Sequence, residues 1–469
     1  MDPLQEIPKR TNFWFDKVAK ASFHGKLLDK VTLTFSLFLT FFVIIVFWPL
    51  ISQIKFEEAF YTPLVPYLIW FFSKLNLDAN GSLQLLFILS LVATGLGIYL
   101  LVRDLTKRQV PAILASIIYI IPPVPIFILT FFRKGFYTQE LVSAKSFFSI
   151  IYGDGALFLA LALVPYGAIV LLRYLKSGNF IDLFLCVVIS GLILLANGSQ
   201  ALGYFVILFL FFLTDIFLGN ARLKLKRFSN VIFFSLGIVS FWYTPFFWLI
   251  TLRMVLTQIL ENIKFLFPLP FIAGLISLLF AYAFFGRRVE RQAIFASFLT
   301  FIAFFALIWS WLFTGHTIVF HPHHFLPNLV MFGAIVAALS LSAVFDRLDI
   351  LRKLSFEKWS SIKRAVGALT FGVLSFILLS STAYIFSSAA ILAVSGPVGI
   401  WTKIRMNVLL DRHETFVLAG GNFKLISNSA DDWQRLIGFI ISLIFLVSLF
   451  FLLKQNLPRF PRKRVGGDN

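Results

Sequence analysis

The chain has 469 residues, of which 59% are apolar and 13% are charged, and its formal net charge is +19. Soluble globular proteins are closer to half apolar and a quarter charged, so this composition excludes a soluble protein with one core. Lipid must solvate much of the apolar surface, and lipid admits only helices or closed barrels. The apolar runs of roughly 17–24 residues match spanning helices, whereas barrel strands have about 10 alternating residues.

Twelve apolar runs predict an all-α polytopic membrane protein with about twelve transmembrane helices. In chain order they cover residues 31–51, 83–102, 109–132, 156–172, 179–197, 201–218, 231–250, 265–285, 293–313, 328–345, 365–387 and 436–453. With the N-terminus inside, the inner connections hold 29 of the 41 Lys and Arg residues. This asymmetry predicts a multi-pass protein of the plasma (inner) membrane with both termini cytoplasmic. The positive charge is therefore a topology signal that favours membrane lipid, and not nucleic acid, as the partner.

The same pattern divides the chain into four regions. They are a basic amphipathic cytoplasmic leader (1–30), a transmembrane domain (31–387) with outer loops at 52–82 and 133–155, a small outer-face loop domain (388–435), and a last transmembrane helix with a basic cytoplasmic tail (436–469). Within the third region, a β-hairpin is predicted across Gly420 and Gly421.

The first outer loop carries the candidates for catalysis. Glu57 and Glu58 follow the first span closely, and adjacent carboxylates can act as a general base or hold Mg²⁺ or Mn²⁺. The alternative is a solvated loop. Tyr61 is a candidate substrate contact. The apolar stretch 62–74 is too short to span, and Pro63 near its start predicts a helix that lies along the membrane interface.

The second outer loop offers candidates for binding a phosphate. Arg133 and Lys134 form a basic pair on the sparsely charged side, and an arginine fork matches phosphate geometry. The alternative is that both side chains snorkel to the interface. Asp154, just before the fourth span, is either a helix N-cap or a carboxylate of the site.

Aromatic residues crowd the outer end of the seventh span, between Phe241 and Trp248. Pro245 within this run predicts a kink in the helix. The aromatic side chains, Trp242 among them, are candidates to line a groove for a lipid chain, and the alternative is an interfacial aromatic belt.

Four of the six histidines lie between His316 and His324. His321 and His324 can share one helical face, and imidazole is a common ligand for zinc and similar metals. Their spacing matches no strong metal motif, and Pro322 disturbs a helix there. A polar cap on the tenth span or a phosphate contact is the alternative.

The other polar residues of the spans suggest no proton pathway. Asp182 and Asp215 lie near cytoplasmic ends, where we expect water to reach them, and the single cysteine, Cys186, excludes an intramolecular disulfide. The cytoplasmic connections are short and lack a glycine-rich phosphate loop, so direct use of a nucleotide is not expected. Function is expected in the membrane or at its outer face.

Several segments resemble the GT-C superfamily of polytopic glycosyltransferases. The similarity is closest to the prokaryotic membrane families described as "6-pyruvoyl-tetrahydropterin synthase-related", and it covers most of residues 31–345. The segments are TPLVPYLIWFF (62–72), TGLGIYLLVRDLTKRQVPAILASIIYIIPP (94–123), GDGALFLALALVPYGAIVLLRYLKSG (153–178), VSFWYTPFFW (239–248) and HPHHFLP (321–327).

This resemblance implies transfer of a sugar from a polyprenyl-phosphate donor to an acceptor on the outer face, by an inverting mechanism. In such enzymes an acidic residue of the first outer loop is the base or a metal ligand, and by position that role falls to Glu57 or Glu58. The chain departs from the family in having Glu where Asp is common. It also has His324 before Phe325 where Arg is expected.

Two other functions stay open on the sequence alone. A secondary transporter or lipid flippase would show repeats, interrupted helices and ionisable residues at mid-membrane. A non-catalytic membrane assembly or lipid-binding protein would not need the carboxylates and basic groups of the outer loops to converge on one cavity.

Overall fold

The structure is a computed structural model, and it describes residues 30–52, 59–60, 62–120, 155–216, 221–266, 269–284, 288–314, 325–353, 416–419, 422–425 and 432–456. These residues form thirteen helices and three short strands. The helices are α1 (Lys30–Ile51), α2 (Leu64–Ser73), α3 (Ala79–Thr106), α4 (Gln109–Ile120), α5 (Gly155–Ser177), α6 (Phe180–Ala196), α7 (Gly198–Ile216), α8 (Ala221–Ile238), α9 (Pro245–Leu266), α10 (Leu269–Phe284), α11 (Arg288–Thr314), α12 (Leu326–Lys353) and α13 (Asp432–Asn456). The strands are β1 (Ala59–Phe60), β2 (Phe416–Ala419) and β3 (Asn422–Leu425).

The helical prediction is confirmed, and the helices have the apolar character of a membrane protein. Among the described residues, three stretches are long and apolar enough to cross a bilayer, namely Ala79–Thr106, Ala156–Ser177 and Asp432–Gln455. Seven shorter apolar helices accompany them. The predicted span at 365–387 lies outside the described residues. The total of twelve spans and the cytoplasmic placement of both termini stay predictions.

Close helix contacts at small residues organise the centre of the bundle. A Cβ atom at Gly95 of α3 would collide with Ile120 of α4 and Leu39 of α1. The Tyr166 hydroxyl of α5 donates to the Ala93 carbonyl of α3 at 2.9 Å. Helices in lipid associate through such close packing and interhelical hydrogen bonds, because apolar side chains gain little by leaving lipid for protein.

The predicted interfacial segment does form a short helix, α2, directly after Pro63. Val65 and Ile69 are buried against the bundle, whereas Tyr67 and Trp70 are exposed on the other side. This division into a buried and an exposed face suits a helix with lipid on one side.

The prediction of a continuous, kinked seventh span is wrong. Helix α8 ends at Ile238, residues 239–244 form a turn, and α9 begins at Pro245. Proline lacks the N–H that an interior helical residue must donate, and its ring clashes with the carbonyl four residues earlier. Pro245 therefore suits the first position of a new helix better than the middle of a long one.

The two strands predicted around Gly420 and Gly421 are present and antiparallel, with Phe416 opposite Leu425. The predicted hairpin is thus confirmed beside a fold that is helical in all its long elements. Strand β1 adds a third strand through the pairs Ala59–Val417 and Phe60–Phe416. The first and third outer connections of the predicted topology thus meet in one small sheet.

The expectation that water reaches Asp182 and Asp215 is wrong. Asp215 is 2% exposed and Asp182 is 8% exposed. The Lys224 ammonium of α8 lies 2.8 Å from the Asp215 carboxylate and covers it, and the Ser177 hydroxyl donates to Asp182 at 3.0 Å. Neighbouring helices supply the polar partners that we had expected from water.

Candidate functional site

Five polar residues from separate parts of the chain meet where α6 turns into α7. They are Thr62, Asn197, Gln200, Tyr243 and Asn328, and together we call them the polar junction. The charge pattern predicts that this end of the bundle faces outward.

The corner between α6 and α7 is very short, because Asn197 is the single residue between the two helices. Its backbone is extended, with φ −157° and ψ 113°. Its side-chain oxygen accepts a hydrogen bond from the Gln200 N–H at 2.9 Å. The side chain thus caps the first turn of α7, as asparagine does at helix N-termini.

Hydroxyl groups from two distant segments satisfy the last carbonyls of α6. The Tyr243 hydroxyl donates to the Leu194 carbonyl at 3.0 Å, and the Thr62 hydroxyl donates to the Ala196 carbonyl at 2.5 Å. The last carbonyls of a helix have no partner within it, and in a membrane each unsatisfied one is costly. The end of α6 therefore holds the segment before α2 and the turn before α9 in place.

A reciprocal pair of amides links α7 to α12. The Gln200 side chain donates to the Asn328 side-chain oxygen at 2.7 Å, and the Asn328 amide donates back at 3.3 Å. Both residues are 0% exposed. Gly203, one turn further along α7, leaves room for the Asn328 amide, since a Cβ atom there would lie 2.6 Å from the amide nitrogen.

The last helix, α13, forms hydrogen bonds to the backbone of the turn after α8. The Ser442 hydroxyl donates to the Ile238 carbonyl at 3.0 Å, and its oxygen accepts from the Phe241 N–H at 2.8 Å. Gly438, one turn before Ser442, lets the two chains approach, because a Cβ atom there would collide with the Ser240 carbonyl. Small residues four apart allow such close approach in membranes. The turn is thus held from α6 on one side and from α13 on the other.

Of the predicted site residues, the structure describes Trp242. It is half-buried in the turn, packs against the edge of the core, and precedes Tyr243 of the polar junction. The predicted catalytic, substrate-binding and metal-binding residues that lie outside the described residues are Glu57, Glu58, Tyr61, Arg133, Lys134, Asp154, His321 and His324. In the described part of the chain, no three His, Cys, Asp or Glu side chains are grouped as ligands for a metal ion.

The polar junction is not apparent from the sequence alone. Its one local signal is the polar run Asn197-Gly198-Ser199-Gln200 between two apolar spans, which predicts only a boundary. Asn328 similarly marks the start of a predicted span. All five side chains of the junction are uncharged and hydrogen-bonded to one another or to backbone. Such a cluster can position other groups, and it offers no general base itself.

Comparison with known proteins identifies no relative of this chain. No protein-family model matches it, and no curated protein or solved structure is significantly similar to it.

Proposed function

We propose that the protein is an integral membrane glycosyltransferase of the GT-C type. It transfers a sugar from a polyprenyl-phosphate donor to an acceptor on the outer face of the membrane. The charge asymmetry supports the outer face, and the resemblance of the quoted segments supports the class of reaction.

One observation supports the proposal: residues that neighbour three of the predicted site residues in the chain meet at the polar junction. Thr62 follows Tyr61 in the chain, Tyr243 follows Trp242, and Asn328 lies four residues after His324. The hydrogen bonds of Thr62 and Tyr243 end on carbonyls of the same helix, α6. Segments almost 270 residues apart in the chain therefore share one end of the bundle, as a composite active site requires.

In the proposed reaction, Glu57 or Glu58 takes the proton from an acceptor hydroxyl. If a divalent ion takes part, the same carboxylates would hold it, and it would supply positive charge beside the reacting groups. The acceptor oxygen forms a bond to the anomeric carbon while the bond from that carbon to the phosphate oxygen breaks on the opposite face. Polyprenyl phosphate leaves with the electron pair, and the sugar inverts its configuration. Strand β1, which follows Glu58 directly, pairs with β2 and tethers this part of the loop.

Positive groups would stabilise the leaving phosphate. Arg133 and Lys134 are the proposed phosphate contacts, and His321 or His324 is a further donor or a metal ligand. Asp154 and Tyr61 are proposed to orient the sugar or acceptor hydroxyls.

The prenyl chain needs an apolar surface beside this site. Helix α2 offers exposed Tyr67, Trp70 and Phe71 on its outward side. The turn before α9 adds Trp242. Tyrosine and tryptophan suit both the prenyl chain and its headgroup, because each has an apolar ring that carries a polar O–H or N–H group.

The test is sugar transfer by the purified full-length protein in lipid nanodiscs. Radiolabelled polyprenyl-phosphate hexoses would be supplied with and without Mg²⁺ or Mn²⁺, and the parent would be compared with Glu57→Gln/Glu58→Gln. Asp432→Asn is the matched control, because Asp432 begins α13 at its predicted outer end and its side chain is fully exposed. We expect turnover in the parent and the control, and a loss of at least about 100-fold in the double variant.

Two results would change the proposal. Equal turnover in the parent and the double variant would show that the protein is an enzyme but that neither Glu57 nor Glu58 is its base. Absence of transfer with every donor would favour a non-catalytic lipid-binding or assembly protein, for which the uncharged polar junction is a sufficient scaffold.

A further inference from the structure

Two basic side chains near the start of α8 bind to the ends of α5 and α7. The Lys224 ammonium lies 2.8 Å from the Asp215 carboxylate and donates to the Asp215 carbonyl at 2.6 Å. The Arg227 guanidinium donates to the Leu175 carbonyl at 2.7 Å, where α5 ends. Because these two cations point into the bundle, they set the rotation of the first two turns of α8.

The outward side of the same turns combines lysine with leucine. Lys226 is exposed, and Leu223 and Leu225 are 47% and 53% exposed. Lys176, in the last turn of α5, is exposed as well, and its carbonyl accepts from Arg227 at 3.3 Å. The Arg227 guanidinium thus joins the backbone of Lys176 to the turn of α8 that carries Lys226, so these two exposed lysines lie on neighbouring helix ends.

Within the described residues, these two lysines have no carboxylate partner. Neither ammonium lies within 4.0 Å of an Asp or Glu side chain there. Two carboxylates of the neighbouring helices have other partners, since Asp215 binds Lys224 and Asp182 accepts from Ser177. In the described part of the chain, the charge of this surface is therefore not neutralised by an ion pair.

We propose that Lys176 and Lys226, with Leu223 and Leu225, bind one anionic glycerophospholipid. The ammonium groups contact the lipid phosphate, and the leucines contact the upper part of an acyl chain. Lysine stems follow apolar surface while their charged ends reach the headgroup layer. A free phosphate ion would leave the two exposed leucines without a role, so the lipid is the occupant that fits both features. The charge asymmetry of the chain predicts that this end faces the cytoplasm, where anionic lipid attracts basic residues.

The expected contribution of the lysines is measurable. Each lysine near an anionic membrane surface contributes about 1 kcal/mol, so removing both charges should weaken binding about 30-fold. The effect should fall at high salt, because exposed charges are screened within about 3 Å at 1 M salt.

The experiment titrates the detergent-solubilised full-length protein with phosphatidylglycerol or phosphatidylcholine and counts bound lipid by native mass spectrometry. The variant Lys176→Gln/Lys226→Gln keeps the contacts of Lys224 and Arg227, so it should fold like the parent. Lys107→Gln is the matched control, because Lys107 is 69% exposed at the same end but already paired with Asp104 at 2.7 Å. We expect the dissociation constant for phosphatidylglycerol to rise about 30-fold in the double variant and to stay within about twofold in the control.

A second arm separates lipid from phosphate. Leu223→Ser/Leu225→Ser should also weaken binding of phosphatidylglycerol, and glycerophosphate, which has the phosphate without acyl chains, should not displace the lipid at equal concentration. Unchanged lipid binding in the double glutamine variant would overturn the proposal. Equal displacement by glycerophosphate, or an equal loss in Lys107→Gln, would overturn it too. None of these results depends on whether the protein transfers a sugar.

Discussion

The Gln200–Asn328 pair is the sharpest test of the polar junction. Changing Gln200 to Leu removes two hydrogen bonds, of 2.7 and 3.3 Å, and leaves the Asn328 amide buried without them. An orphaned buried polar group costs about 1–3 kcal/mol. We therefore expect each of Gln200→Leu and Asn328→Leu to lower the free energy of unfolding by about that amount.

The double variant should behave differently, because it leaves no orphaned amide. Measured side-chain hydrogen bonds in membrane proteins average about 0.6 kcal/mol and reach about 1.7 kcal/mol. Both members of this pair are 0% exposed and bond reciprocally, so we place their coupling near the upper end, at about 1–2 kcal/mol. Gln200→Leu/Asn328→Leu should thus lose less stability than the sum of the single variants.

Reversible unfolding of the purified protein in mixed micelles, followed by helical circular dichroism, gives the four free energies of this cycle. Gln84→Leu is the control, because the Gln84 amide donates to the Ser52 carbonyl at 3.3 Å at an exposed position. We expect the control to lose less than about 0.5 kcal/mol. Strictly additive losses, with coupling below about 0.3 kcal/mol, would refute the view that this pair joins α7 to α12.

Three further substitutions test the other contacts. Thr62→Val removes the bond to the Ala196 carbonyl and should cost about 1–2 kcal/mol in the same unfolding assay, whereas Thr62→Ser should retain most of the stability. Ser442→Ala removes the hydroxyl that bonds to the turn after α8, so it should lower the free energy of unfolding by about 1–3 kcal/mol. Tryptophan emission from that turn should change as well. Unchanged emission and unchanged stability would contradict the role given to α13. Lys224→Gln leaves the buried Asp215 carboxylate without its ion pair, with the long hydrogen bond from the Gln292 amide at 3.5 Å still in place, and should cost about 3–5 kcal/mol. Lys224→Gln/Asp215→Asn should recover part of that loss, and no recovery would show that the pair is not coupled.

Trp242, which lies next to the polar junction, could be proposed from the sequence because an aromatic residue is conspicuous beside an apolar span. Glu57 and Glu58 lie outside the described residues and stay predictions. Gln200 and Asn328 were overlooked, because an uncharged amide at the edge of a span gives no signal until its partner is known. These two residues lie 128 positions apart, and nothing in the local pattern of either one points to the other.

Composition and the length of the apolar runs were enough to predict that the chain forms apolar helices and approximately where most of them lie. Backbone groups in lipid must bond within their own segment, so apolar runs such as the one that forms α3 have essentially one solution. The folded chain adds three features: β1 joins the hairpin, Asp215 is buried, and the turn between α8 and α9 is bonded to α13. Each depends on a partner in another element, namely Val417 of β2 for β1, Lys224 of α8 for the aspartate and Ser442 of α13 for the turn. The local composition of a segment indicates whether lipid or water surrounds it. The hydrogen-bond or ion-pair partner of a buried polar group is defined only by the packing of the helices.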